Sequence, residues 1–77
     1  MQTNLAVVYS QPNCPACDAV KHLLSAKGFK IEVRELGKGW TKQQLLEDFP
    51  TARSVPQVII GNKKVGSLPD VQKLLLV

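Results

Sequence analysis

Cysteine is scarce in this chain: Cys14 and Cys17 are the only two in 77 residues. Small secreted domains usually carry several disulfides to supplement a small core. A bridge between residues this close closes a very short loop and constrains the unfolded chain little. That argues against a structural staple. In a reducing compartment a Cys-x-x-Cys pair reads as catalytic or metal-binding. Aromatic residues are also few, 5% of the chain. Tyr9, Phe29, Trp40 and Phe49 lie far apart, and no dense basic run interleaves with them, so nucleic-acid binding is not expected. Long apolar runs are missing too. Leu5 to Tyr9 is five residues, against the ~20 needed to span a bilayer. Met1-Gln2-Thr3-Asn4 lacks the basic start and apolar stretch of a secretion signal. The expected location is therefore the cytoplasm, with no membrane contact.

What is present describes an ordinary globular domain. Hydrophobic residues make up 44% and charged residues 21%. Residues 1–77 are expected to form one domain, with a small core, because a chain this short buries only about 60% of its unfolded surface. The net charge of +4 is scattered along the chain. It favours solubility, and it would attract an anionic thiol or an acidic protein tail.

The apolar run Leu5–Tyr9 has the length of a strand buried on both faces. Ser10-Gln11-Pro12-Asn13 is turn chemistry. From Cys14 to about Lys27 the period becomes helical, with Ala16, Val20, Leu23 and Leu24 on one face. Pro15 suits the first turn and Gly28 the stop. Phe29 to Leu36 alternates as a half-buried strand, with Ile31 and Val33 inward. Gly37-Lys38-Gly39 reads as a linker. Thr41 and Gln44 form a capping box for a helix that ends before Pro50. Gln57–Ile60 and Lys63–Val65 make a hairpin around Gly61-Asn62. Gly66-Ser67-Leu68 reads as a loop, and Pro69-Asp70 opens a last helix from Val71 to Leu76. The order is β-α-β-α-β-β-α, an α/β class, and the opening βαβ unit makes the first two strands parallel.

Cys14-Pro15-Ala16-Cys17 sits where the first strand hands over to the first helix. The thiolate is the nucleophile in disulfide exchange. Free N–H groups and the positive end of the helix dipole stabilise a thiolate at a helix start. Cys14 is expected there, facing solvent. Cys17, one turn in, would attack a mixed disulfide on Cys14. Asp18 opposes the thiolate, whereas Lys21 and Arg53 would help it. The same pair could clamp a soft metal, but zinc usually takes four Cys or His ligands. The single histidine, His22, reads as a surface or partly packed residue, and no metal site is expected. A second feature is Ser54-Val55-Pro56-Gln57-Val58, a proline directly before a strand. By itself it marks an edge or a turn.

Together these residues resemble the glutaredoxins over nearly the whole chain. Val8-Tyr9-Ser10 through Cys14-Pro15-Ala16-Cys17 is similar to the family's first strand and active-site loop. Phe49 through Ile60, with Ser54-Val55-Pro56-Gln57, is similar to its entry into the third strand. Val65-Gly66-Ser67-Leu68-Pro69-Asp70 resembles its late glycine motif. The compact chain is most similar to short bacterial and bacteriophage members. The resemblance implies a thioredoxin-like fold, a four-stranded mixed sheet flanked by three helices. It implies a dithiol enzyme in which Cys14 attacks and Cys17 resolves, at roughly −200 to −230 mV. Pro56 would be a cis-proline, and the Val55 backbone would pair with the substrate's cysteinyl unit. Gln11 and Arg53 would flank the glycine carboxylate of glutathione, and Asp70 would meet its γ-glutamyl end. Glutathione would be a co-substrate, with no tightly bound cofactor. The other partners implied are disulfide-containing proteins, among them ribonucleotide reductase, met by a monomer.

Three positions depart from that pattern: Gln11 where lysine is common, Ser67 where a second glycine is usual, and Pro69. Gln11 and Pro69-Asp70 instead resemble redoxins recharged by thioredoxin reductase. A third reading is a copper carrier, whose usual order β-α-β-β-α-β differs from the one read here. A bridging iron–sulfur cluster would need ligands beyond the two cysteines.

Overall fold

A computed structural model describes residues 4–75. Its elements run β1 (Leu5–Ser10), α1 (Pro15–Ala26), β2 (Lys30–Glu35), α2 (Lys42–Asp48), β3 (Gln57–Ile60), β4 (Lys63–Gly66) and α3 (Leu68–Leu75). This is the β-α-β-α-β-β-α order the sequence predicts. The four strands form one sheet in the order β2-β1-β3-β4. β1 pairs parallel with β2 and antiparallel with β3, and β3 pairs antiparallel with β4.

Alternation along β1 divides its side chains between two layers. Ala6 and Val8 join Val20 and Leu24 of α1, Val58 of β3 and Val71 of α3 in one core, each fully buried. Burying a valine or leucine completely is worth about 1.5–3 kcal/mol, so these six residues bind α1 and α3 to the sheet. Tyr9, on the other face, meets the α2 layer. Its ring packs edge-on against Trp40 and Phe49, with centroids 6.1 and 6.3 Å away. Three of the four dispersed aromatic residues thus converge beneath α2.

The capping box of α2 is present. The Gln44 N–H donates to the Thr41 hydroxyl at 3.2 Å, and the Gln44 side chain accepts from the Thr41 N–H at 2.8 Å. The structure shifts several expected boundaries. β1 runs one residue further, to Ser10, which pairs with Glu35 of β2 and whose carbonyl accepts from the Leu36 N–H at 2.8 Å. β2 begins at Lys30 and ends at Glu35; Phe29 precedes it outside the strand, and Leu36 forms an isolated bridge with Trp40. Val33, expected inward, is 44% exposed: β2 is an edge strand and its face is covered from one side only. α3 starts three residues early, at Leu68, and Gly66 ends β4 instead of opening a loop. Leu76, the expected end of α3, lies outside the described residues.

Candidate functional site

Cys14 is the N-cap of α1, with extended backbone (φ −120°, ψ 96°) and Pro15 at the first helical position. Proline costs nothing there, because that N–H would be unpaired in any case. The cap turns the Cys14 side chain back over the helix start, where its Sγ accepts from the Cys17 N–H at 3.2 Å. Cys14 and Cys17 are joined by a disulfide, with their Cα atoms 5.2 Å apart. Cys17 is fully buried. Cys14 faces solvent less than expected: 9% of it is exposed. One wall of its recess is the Val55 carbonyl, whose oxygen lies 3.9 Å from Cys14 Sγ.

The Val55 segment is held from two directions. The Val55–Pro56 peptide is cis, as the resemblance implies. Gln57, buried at the start of β3, donates its side-chain N–H to the Ser54 carbonyl at 3.0 Å. The backbone opposite the disulfide is thus fixed by a side chain that alternation alone would have assigned to packing. Gln57 was not among the residues expected at the site. An amide in the first position of an apolar strand was the available signal.

A groove of about 250 Å³ opens beside Val55 and is lined by Gln11, Leu36, Lys42, Leu45, Arg53 and Ser54, among others. It brings Gln11, Arg53 and Val55 into one hollow and adds Lys42, which the sequence reading had left as a helix residue. Asp70 lies in a second, neighbouring hollow with Arg53, Lys64, Gly66 and Ser67. There it is engaged by its own chain: one carboxylate oxygen accepts from the Ser67 N–H at 3.0 Å and the Ser67 hydroxyl at 3.1 Å. This is the N-terminal cap of α3. Gly66, with φ +120°, makes the close approach possible, since a Cβ there would stand 2.6 Å from the same oxygen.

Asp18 is not free to oppose the active sulfur at full strength, because its carboxylate lies 4.0 Å from the Lys21 ammonium. His22 is exposed on α1. Among the described residues, no three His, Cys, Asp or Glu side chains are grouped to hold a metal ion, and no helix is long and apolar enough to cross a membrane.

Comparison with known proteins agrees with this geometry. The glutaredoxin family model matches residues 6–65. A glutaredoxin from Ricinus communis is 39% identical over 69 residues, covering 86% of this chain and 68% of its own length. Glutaredoxin-1 of Bos taurus is 31% identical, covering 92% of this chain and 73% of its own length. Among solved structures, a buckwheat glutaredoxin–glutathione complex superposes with a TM-score of 0.74 at 31% identity, covering 94% of this chain and 68% of that one. Glutaredoxin 1 from Francisella tularensis reaches a TM-score of 0.75 at 14% identity, covering 95% and 98%, a likeness of fold.

Proposed function

This chain belongs to the glutaredoxin family and is a thiol–disulfide oxidoreductase, and from that premise we propose that it is a dithiol enzyme using glutathione as co-substrate. The observation that carries the reading is the Cys14–Cys17 disulfide at the mouth of α1, with the Cys17 N–H directed at Cys14 Sγ. In the reduced enzyme the same N–H, together with the helix dipole, favours the Cys14 thiolate.

The cycle balances as two exchanges. The Cys14 thiolate attacks one sulfur of a substrate disulfide. That S–S bond breaks, and the other substrate sulfur leaves as a thiolate. The Cys17 thiolate then attacks Cys14 in the mixed disulfide, releasing the second substrate thiol and forming the intramolecular disulfide. Two glutathione thiols reverse the last two steps and leave as glutathione disulfide. With a glutathione mixed disulfide, the first attack suffices, and a second glutathione releases the first.

The substrate cysteine would lie against Val55 as an added extended segment, pairing with its backbone where the Gln57 amide and Pro56 hold it. Gln11 and Arg53 would face the glycine end, and Asp70 the γ-glutamyl end. Protein disulfides, ribonucleotide reductase among them, would be reduced at the same Cys14, by a monomer acting in the cytoplasm.

The test is steady-state reduction of a glutathione mixed disulfide, followed by NADPH oxidation with glutathione and glutathione reductase, and in parallel with thioredoxin reductase alone. Turnover in the first system supports the proposal. Turnover only in the second assigns the protein to the redoxins recharged by thioredoxin reductase, a reading favoured by the Pro69-Asp70 pair and the self-capped start of α3.

A further inference from the structure

Ser10 is the last residue of β1 and is fully buried, yet its hydroxyl has no hydrogen-bond partner among the described residues. Buried hydroxyls are nearly always paired, because taking one out of water without a replacement costs stability. The Ser10 carbonyl is satisfied by the Leu36 N–H at 2.8 Å. The side chain is the orphan, and it stands at the strand end that leads into the redox loop.

Side chains alternate across a strand, and Ala6 and Val8 face the α1 layer. Ser10 therefore faces that layer too, away from Tyr9. α1 buries Cys17, Val20 and Leu24. Because β1 and β2 are parallel, α1 runs back along the sheet to join them. Ala6 to Ser10 spans about 13 Å of strand, and Leu24 back to Cys17 about 10 Å of helix, so the two rows match in length. Leu24 and Val20 pack with Ala6 and Val8, which leaves Cys17 to the Ser10 end.

The two sulfurs are served unequally. Cys14 has the helix start and the Cys17 N–H. Cys17 is fully buried, and burial in apolar surroundings raises a thiol's pKa. It must nonetheless become a thiolate to attack the mixed disulfide. A disulfide sulfur is a weak acceptor, whereas an ionised group accepts strongly. An unpaired hydroxyl at this end of the layer is a donor whose partner exists only once the S–S bond has opened.

We propose that the Ser10 hydroxyl donates to the Cys17 sulfur in the reduced enzyme, and that this bond, absent in the disulfide form, draws the Cys14–Cys17 couple toward the dithiol. The same bond favours the Cys17 thiolate for its attack on Cys14. This rests on the dithiol cycle proposed above, whichever co-substrate recharges it.

The test is an exchange between two forms of the protein, with no turnover assay. Oxidised parent is mixed with reduced Ser10→Ala variant in anaerobic buffer, with a trace of 2-mercaptoethanol to carry the exchange. The S–S bond of the parent opens as that of the variant closes, and two electrons and two protons pass from variant to parent. Mass spectrometry after acid quenching separates the species. Reduced parent with oxidised variant is expected to be favoured by about tenfold, or ~30 mV. Denaturant unfolding gives a second readout. Ser10→Ala should leave the disulfide form at least as stable as the parent, since it deletes an unpaired hydroxyl, and should destabilise the dithiol form. A serine that only packs, or that holds a buried water in both states, would weaken both forms equally and leave the exchange constant at one. That result overturns the proposal, as does an excess of oxidised parent. If neither protein closes the intramolecular disulfide, the dithiol cycle fails and the proposal with it.

Discussion

Replacing Cys14 with serine removes the nucleophile, and turnover of every disulfide substrate is expected to vanish. Replacing Cys17 with serine leaves the first exchange intact. Reduction of a glutathione mixed disulfide should therefore persist while reduction of protein disulfides stops, and equal loss in both variants would contradict the assigned roles. Tyr9 supplies a second test. Its hydroxyl donates to Asp48 at 2.6 Å and accepts from Arg34 at 2.9 Å. Burial, followed by the Asp48 hydrogen bond, raises its pKa above the ordinary 10.0. The fold thus prefers the neutral phenol, and the stability this gives is present below the unfolded pKa and lost as pH rises through the folded one. Because the chain has one tyrosine, an ultraviolet pH titration reports it alone; ionisation should come later in the folded than in the denatured protein. At this scale the two cysteines were legible from spacing. Lys42 and Gln57 were not. A lysine in the first turn of a helix and a glutamine at a strand entry gain meaning only when the β3 entry and α2 are brought to one wall.

α2 is the element whose local sequence carries most of its definition. It is seven residues long, with Leu45 as its one buried residue. A helix that short is not stable alone and depends on its cap and that single anchor. Thr41→Ala should cost about 1 kcal/mol and Leu45→Ala about 2–5 kcal/mol, measured by denaturant unfolding. Because Leu45 and Lys42 both line the Val55 groove, the Leu45 change should also raise KM for a glutathione mixed disulfide. The capping box was readable because four consecutive residues determine it. The start of α3 was not, because Leu68 and Pro69 fit a loop equally well until Asp70 closes back on Ser67. The exposure of Val33 escaped for a related reason. Alternation assigns a side to each residue, but it does not say whether the strand ends up at the sheet edge.

At the scale of the molecule, one sheet is shared by two unequal layers, the aliphatic core under α1 and α3 and the aromatic cluster under α2. The single tryptophan lies in the second layer, beneath the Arg34 guanidinium at 4.4 Å. If the sheet couples the layers, Trp40 fluorescence and far-ultraviolet circular dichroism should lose signal in one coincident transition. An earlier tryptophan transition would show the α2 layer melting by itself. The sheet's outer borders have a different consequence. β2 lies at one end, with Lys30 and Glu32 exposed along it and Arg34 tied to Glu32 at 2.9 Å. β4, at the other end, is four residues long, and a register shift interrupts its pairing with β3. A margin bearing charges and a short, irregular one are poor templates for a neighbouring chain, so neither border of the sheet invites a further strand to add to it.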